Sequence, residues 1–474
     1  MLKFGMSAAL LMIALSGTAS AAGPIARTES GQVSGSVGEG VKSWKGIPFA
    51  APPVGENRWR APQPAAKWAG VRQATDYGHD CMQLPFPSDA APLGTAPAED
   101  CLVMNVWAPE RAKAGAKLPV IAWIYGGGFV NGGSSPPTYS GADLAKKGVV
   151  FASFNYRLGR FGTFVHPQLT ADGGMPAGNY WLMDQIAALK WIKRNIAAFG
   201  GDPSNVTIIG ESAGGMSVNT LLTSPMAGGL FHRAVVMSGG DGKADPAGQA
   251  AAQAASLRFA EGKGIAAGDA QALAKLRALS GEQVVDGLNL MALFRPSNEP
   301  RNFAWPFVDG AMAVDPASAM AAGKLARVPV MIGATSNDSG GPTGYMATGA
   351  HTLAGVLSAK GVPTYAYRFS YVAESLGKTG ADHASDIPFF FNTQDTKYGA
   401  ATTARDNGMG EAISSYIANF ARRGDPNGKG LPAWPRYSKS ADVIMDFSAA
   451  GTAVAGKDPL GAQLDASAAA SPRR

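Results

Sequence analysis

Val206-Thr207-Ile208-Ile209-Gly210-Glu211-Ser212-Ala213-Gly214-Gly215 is the stretch whose reading decides the architecture. Its first four residues are β-branched and suit a short buried strand. Ala213 to Leu222 follow as a helix. Between them stands G-x-S-x-G, the sharp strand-to-helix turn that lifts a serine hydroxyl clear of a sheet. Such a turn needs small neighbours, and Gly210, Gly214 and Gly215 supply them. The hydroxyl then stands at a helix N-terminus, where backbone N–H groups favour developing negative charge. The pattern alone also arises in idle glycine-rich turns. The strand before it and the helix after it give it weight.

Working outward, the same alternation recurs. Leu118 to Tyr125 is a continuous apolar run before Gly126, as expected of a strand buried on both faces, and Val149 to Tyr156 is another. Further strands are expected at Leu102–Trp107, Ala234–Ser238, Val328–Ile332 and Thr364–Phe369. Asp184 to Phe199 carries Ile186, Leu189, Ile192 and Ile196 at helical spacing. Glu411 to Arg423 reads as a late helix, and the Ala-rich stretch 244–280 as helix broken by Gly262, Gly264 and Gly268. Strands alternating with helices predict an α/β fold with a mostly parallel sheet covered on both faces. Gly31 to Phe49 reads as a small antiparallel hairpin region, and residues 50–100 as loops. The expected organisation is one catalytic domain over 22–450, with a loosely ordered tail over 451–474.

Composition excludes several classes of protein. With 46% hydrophobic and 16% charged residues, the 474-residue chain is globular and not disordered. The net charge of +6 is spread singly or in pairs such as Lys146-Lys147, with no basic stripe to hold nucleic acid. Lys3, the apolar run Ala8–Leu15 and the small residues Ala19-Ser20-Ala21 read as a cleavable export signal over 1–21. No later stretch is long and apolar enough for a membrane span. The expected location is therefore secreted or periplasmic. Export permits one disulfide between the only cysteines, Cys81 and Cys101. No H-E-x-x-H or clustered ligand spacing calls for a metal, and no cofactor is expected.

Two further features carry chemistry. Tyr125-Gly126-Gly127-Gly128-Phe129 directly follows a buried strand and can aim backbone N–H groups at an oxyanion. In this type of site one donor comes from such a loop and another from the residue after the nucleophile, here Ala213. A base is also needed. In the order Ser…acid…His, only His232, His351 and His383 follow Ser212. His232 lies close to the elbow's own helix, and His351 follows no strand. His383, in a loop after a strand, is the choice.

Together these residues resemble the type-B carboxylesterase and cholinesterase-like family. The resemblance spans the expected mature chain. It rests on Glu99-Asp100-Cys101-Leu102-Val103-Met104-Asn105-Val106, the triple-glycine loop, Asn155-Tyr156-Arg157-Leu158-Gly159 and Gly178-Asn179-Tyr180. Asp184-Gln185, Phe199-Gly200-Gly201-Asp202-Pro203 and the elbow complete it. The resemblance implies an α/β-hydrolase fold, a serine esterase and a Cys81–Cys101 disulfide. It also implies an oxyanion hole of Gly127, Gly128 and Ala213, with Glu211 as an auxiliary carboxylate and Arg58–Glu99 as a structural ion pair. It points to His383 and places the acid at Asp338. There the chain departs from the family, which usually has Asp-Glu-Gly where this sequence reads Asn337-Asp338-Ser339. Asp309, Asp382 and Asp386 are the other carboxylates considered. The stretch from Asp338 to His383 is shorter than in most of the family, which implies a reduced helical cap and a more open site.

The expected partner is a small ester, met by a monomer or weak homo-oligomer. A lipase, polyester hydrolase or amidase could use the same triad, and a non-catalytic binding protein could keep the fold. Trp181 and the segment Phe303–Phe307 are candidate pocket aromatics, with core packing as the alternative for each.

Overall fold

The computed structural model describes residues 23–86, 89, 91–169, 176–242 and 248–470, so the export signal expected over 1–21 lies outside the described residues. Two sheets form. The small one joins β1 (Ile25–Thr28), β2 (Gly31–Ser34) and β5 (Val71–Gln73). The large one has eleven strands. In chain order these are β3 (Ser36–Gly38), β4 (Val41–Pro48), β6 (Val103–Pro109), β7 (Leu118–Ile124), β8 (Val150–Phe154) and β9 (Gly201–Glu211). They continue with β10 (Arg233–Met237), β11 (Val330–Thr335), β12 (Thr364–Phe369), β13 (Val443–Phe447) and β14 (Ala453–Lys457). Their order across the sheet is β14-β13-β12-β11-β10-β9-β7-β8-β6-β4-β3.

From β8 through β7, β9, β10, β11 and β12 to β13 every pairing is parallel, and antiparallel strands close both edges. The elbow strand lies in the middle, with Ile208 opposite Ala122 on one side and Ala234 on the other. Val206 to Glu211 are all buried, which requires cover on both faces. The helices Ala213–Thr223 and Ala404–Arg423 both pack on β9. The second is sharply bounded. Thr403 and Asp406 form a capping box at its start, and left-handed Gly424 ends it.

Parallel strands leave their carboxyl ends along one rim, where ligand sites in such sheets gather. The triple-glycine loop leaves β7, Ser212 leaves β9, Ser238 leaves β10 and Asp338 leaves β11. His383 lies in the segment after β12. One rim therefore collects every residue singled out for chemistry.

Two details depart from the expectation. Regular structure occupies the expected tail: β14 pairs with β13, and the helix Gly461–Ala470 packs on the helix Tyr345–Ala359. β14 is an edge strand with mostly exposed side chains, held by backbone pairing, so it leaves no apolar alternation to read. Residues 50–100 also contain β5, another short and fully exposed strand. Cys81 and Cys101 are joined in a disulfide.

Candidate active site

Ser212 has φ 55° and ψ −121°, a conformation that a residue with a side chain occupies only under strain. The packing around it explains the glycines. A Cβ on Gly214 would lie 2.0 Å from the carbonyl oxygen of Ile124, and one on Gly210 would lie 2.3 Å from that of Gly214. The turn is pinned to the next strand because the Ser212 N–H donates to the Met237 carbonyl at 3.0 Å.

His383 bridges Ser212 and Asp338. Its Nε2 is 2.9 Å from Ser212 Oγ, and its Nδ1 is 2.6 Å from Asp338 Oδ1. Asp338 is 3% exposed and well supplied with donors. Its Oδ1 also accepts the Ser339 N–H at 2.7 Å. Its Oδ2 accepts the Ser238 hydroxyl at 2.7 Å, the Thr335 hydroxyl at 2.9 Å and the Thr335 N–H at 3.1 Å. Burial pushes this carboxyl up, but the hydrogen bond and charge of His383 and the Ser238 and Ser339 donors outweigh it, so Asp338 is held below the usual range. Ser238 and Thr335 were missed in the sequence. Their only signal is position: Thr335 ends β11 and Ser238 directly follows β10, both beside Asp338.

Glu211 Oε1 lies 3.3 Å from His383 Nε2. Burial raises the Glu211 carboxyl, with His383 opposing. For His383, burial favours the neutral ring, but Glu211 and Asp338 overcome it and raise the imidazole above its ordinary 6.5. Asp386 is fully buried nearby and pushed up to about 7, first by burial and then by the Asp338 charge. Its contact with a described side chain is the Tyr367 hydroxyl at 3.3 Å, and it does not reach His383 by hydrogen bond. Asp382 pairs with Lys378 and Asn337 at the surface. Asp309 accepts the N–H groups of Ala311, Met312 and Ala313 in a turn.

The triple-glycine loop presses against the elbow. A Cβ on Gly126 would lie 3.0 Å from Ser212 Cβ. Gly127 and Gly128 have φ of 100° and 62°, and among the described residues no acceptor takes their N–H groups. The loop is braced from behind. Asn131 donates to Gln83 Oε1 at 3.0 Å, and Gln83 Oε1 accepts the Gly132 N–H at 2.9 Å. Gln83 Nε2 donates to the carbonyls of Gly132 at 2.6 Å and Cys81 at 2.9 Å. The disulfide is thus two residues from the brace of the glycine loop. Gln83 and Asn131 were not singled out in the sequence, because neither belongs to a motif with a chemical signature.

Tyr125 is fully buried, stacked on Tyr156 with ring centroids 4.5 Å apart. Its hydroxyl donates to the Tyr156 carbonyl at 3.1 Å. Behind Gly128, Phe129 meets Trp181 edge-on at 4.8 Å and Trp305 at 6.0 Å. Trp181 is 2% exposed. Over the loop lies the short helix Leu290–Leu293. Leu290 and Leu293 come within 2.7 and 3.1 Å of where a Gly128 Cβ would stand, while Met291 and the adjacent Phe294 are exposed. The Leu290 N–H is held by Asn131 Oδ1 at 2.7 Å. Between Asp338 and His383 stand one helix, Tyr345–Ala359, strand β12 and a short 3-10 turn, and Ser212 remains half-buried.

The other histidines lie elsewhere. His79 Nδ1 meets the Ala96 carbonyl, His166 Nδ1 accepts the Gln168 N–H and His232 Nδ1 accepts the Val206 N–H. His351 belongs to a separate buried cluster. Arg58 forms a two-pronged pair with Glu99 at 2.8 and 2.5 Å.

With this geometry, the likenesses to known proteins fall into line. The profile of the carboxylesterase family matches residues 22–351 and 342–460. A para-nitrobenzyl esterase of Bacillus subtilis (strain 168) is 34% identical over 89% of this chain and 94% of its own length. A fumonisin B1 esterase of Sphingopyxis macrogoltabida is 31% identical over 90% and 87%. A solved PNB esterase structure superposes with a TM-score of 0.82 at 30% identity, covering 94% of this chain and 99% of that one.

Proposed function

The chain belongs to the carboxylesterase family and is an enzyme that hydrolyses carboxylic esters; from that premise we propose that Ser212 is its nucleophile, His383 its base and Asp338 its acid. The observation that carries the assignment is the unbroken run Ser212 Oγ–His383–Asp338, at 2.9 and 2.6 Å.

In the acylation step, neutral His383 takes the proton from Ser212 as Oγ bonds to the ester carbonyl carbon. The carbonyl electron pair moves onto oxygen, where the N–H groups of Gly127, Gly128 and Ala213 receive it. His383 returns the proton to the leaving alcohol as the C–O bond breaks. Water then attacks the acyl-enzyme, its proton passes through His383, and the acid and free Ser212 result. Asp338 keeps the Nδ1–H tautomer in place and balances the imidazolium charge. When ionised, Glu211, whose carboxyl pKa is raised by burial, adds negative charge beside the imidazolium at Nε2.

The substrate we propose is an ester with a sizeable apolar group. Leu290 and Leu293 line the approach over Gly128, and Met291 and Phe294 extend that apolar surface outward. A half-buried serine with a small cap supports a roomy entrance over a sealed one. We further propose that the enzyme works after export. The disulfide suits an oxidising compartment, and N-terminal sequencing of secreted or periplasmic protein should begin just after Ala21 or Ala22.

The test is hydrolysis of nitrophenyl esters of increasing acyl length by the wild type and Ser212→Ala. The variant should lose about 10⁶ in kcat. Substantial activity in a folded variant would remove Ser212 from the mechanism. A rise in kcat/KM with acyl length supports the apolar approach, and a strict preference for acetyl would refute it.

A further inference from the structure

A second group of ionisable side chains lies where the C-terminal strands and helix meet the helix Tyr345–Ala359. His351, on that helix, is 6% exposed. Asp442 stands just before β13, and Asp458 just after β14. His351 Nδ1 faces both carboxylates, 3.7 Å from Asp442 Oδ1 and 3.9 Å from Asp458 Oδ2. These separations are too long for hydrogen bonds, and none reaches Nδ1 from the described residues. They are close to the spacing of ligands around a small cation. Donors held about 2.0–2.2 Å from tetrahedral zinc stand roughly 3.3–3.6 Å from one another. The three donor atoms all lie within 4.8 Å of one another.

From these contacts we propose that His351, Asp442 and Asp458 form a site for one divalent transition-metal cation, zinc foremost, which clasps the C-terminal strand–helix unit to the helix Tyr345–Ala359.

The surrounding contacts orient the donors. His351 Nε2 lies 3.2 Å from Asp465 Oδ1, so an Nε2–H donating there leaves the Nδ1 lone pair for the metal. Lys439 also reaches this corner, 2.8 Å from Nε2 and hydrogen-bonded to Asp465. That contact makes Nε2 an acceptor here, so metal on Nδ1 requires Lys439 to donate to Asp465 alone and free Nε2–H for Asp465 Oδ1. Asp458 Oδ1 is held by Arg368 at 2.6 Å and by the Leu460 N–H at 2.8 Å, which turns Oδ2 toward His351. Asp442 Oδ1 accepts the Tyr437 hydroxyl at 2.9 Å. A Cβ on Gly461 would lie 2.0 Å from Asp442 Oδ2, so a glycine is what lets that carboxylate sit against the last helix. Charge points the same way: Arg368 pairs with Asp458 and Lys439 with Asp465, and among the described residues no Lys or Arg pairs with Asp442. An imidazole with two carboxylates, and room for water in the remaining positions, suits zinc better than calcium, which takes six to eight oxygens.

The experiment is calorimetric titration of the whole chelator-treated enzyme with zinc, and separately with calcium, alongside melting curves. One equivalent of zinc should bind and raise Tm. His351→Gln and Asp442→Asn should each weaken zinc at least about tenfold and remove the rise in Tm, with ester hydrolysis at wild-type level showing that the variants are folded. Absence of zinc binding by folded wild type, undiminished binding in both variants, or tighter calcium than zinc would each overturn the proposal.

Discussion

The two halves of the active-site rim are built differently. The half that carries Ser212 and the triple-glycine loop is made of backbone: left-handed residues, glycines packed against carbonyl oxygens and a strand buried at the centre of the sheet. The half that carries Asp338 and His383 is made of side-chain hydrogen bonds in segments beyond β11 and β12. The first half has no room for a Cβ at Gly127, Gly210 or Gly214. The second holds its geometry with side-chain groups around Asp338, where the sequence reads Asn337-Asp338-Ser339. Ser238 and Thr335 both donate to Asp338, which stands 2.6 Å from the imidazole.

The strongest challenge to this contrast is Asp338→Asn. An amide donates where the imidazole N–H must donate, so kcat on nitrophenyl esters should fall about 10⁴-fold with KM little changed. Asp386→Asn should cost far less. If the two losses were reversed, Asp386 would be the acid.

Next in size is Gly128→Ala. The left-handed backbone and Leu290 at 2.7 Å both oppose the new methyl group. Displaced oxyanion donors typically cost about 10²–10³ in kcat. Adding Leu290→Ala removes the contact but not the backbone strain, so it should recover only part of the loss. Full recovery would show that space, and not backbone geometry, governs this half.

Removing the disulfide with Cys81→Ser and Cys101→Ser should lower stability by roughly 3 kcal/mol, read from the denaturant midpoint. Catalysis by the folded fraction should survive, because Gln83 braces the glycine loop through its own hydrogen bonds.

The smallest effect is expected from Glu211→Gln, and it is one of pH. In the proposed mechanism His383 must be neutral to accept the Ser212 proton, and Glu211 helps to raise its pKa above 6.5. The wild-type kcat/KM should therefore climb with pH into the alkaline range. The variant's rise should come at lower pH. An unchanged profile would show that Glu211 does not reach the imidazole electrostatically.

The same contrast explains what was legible in the sequence. The elbow and the glycine loop could be read directly, since only glycine fits positions where a Cβ would lie 2.0–2.3 Å from a carbonyl oxygen. The alternation of strands and helices that places them was equally plain in the buried runs of β7, β8 and β9. His383 needed chain order, and Asp338 needed a family resemblance, because a carboxylate in a loop has no local signature. Ser238, Thr335, Gln83 and Asn131 stayed hidden since their roles depend on which strands become neighbours. β14 and the last helix were hidden for another reason: their Ala- and Gly-rich segments are held by backbone pairing and by a few contacts such as buried Leu464.

Ser212 follows the middle strand of an eleven-stranded sheet, whereas His383 follows an outlying segment and is 28% exposed at its side chain. Local opening starts where few apolar contacts and short segments hold the chain, well before the central strands give way. On warming, amide exchange should quicken around His383 while β9 is still protected. The enzyme would then fall silent with Ser212 still in place and its sheet closed, and cooling would restore turnover without refolding.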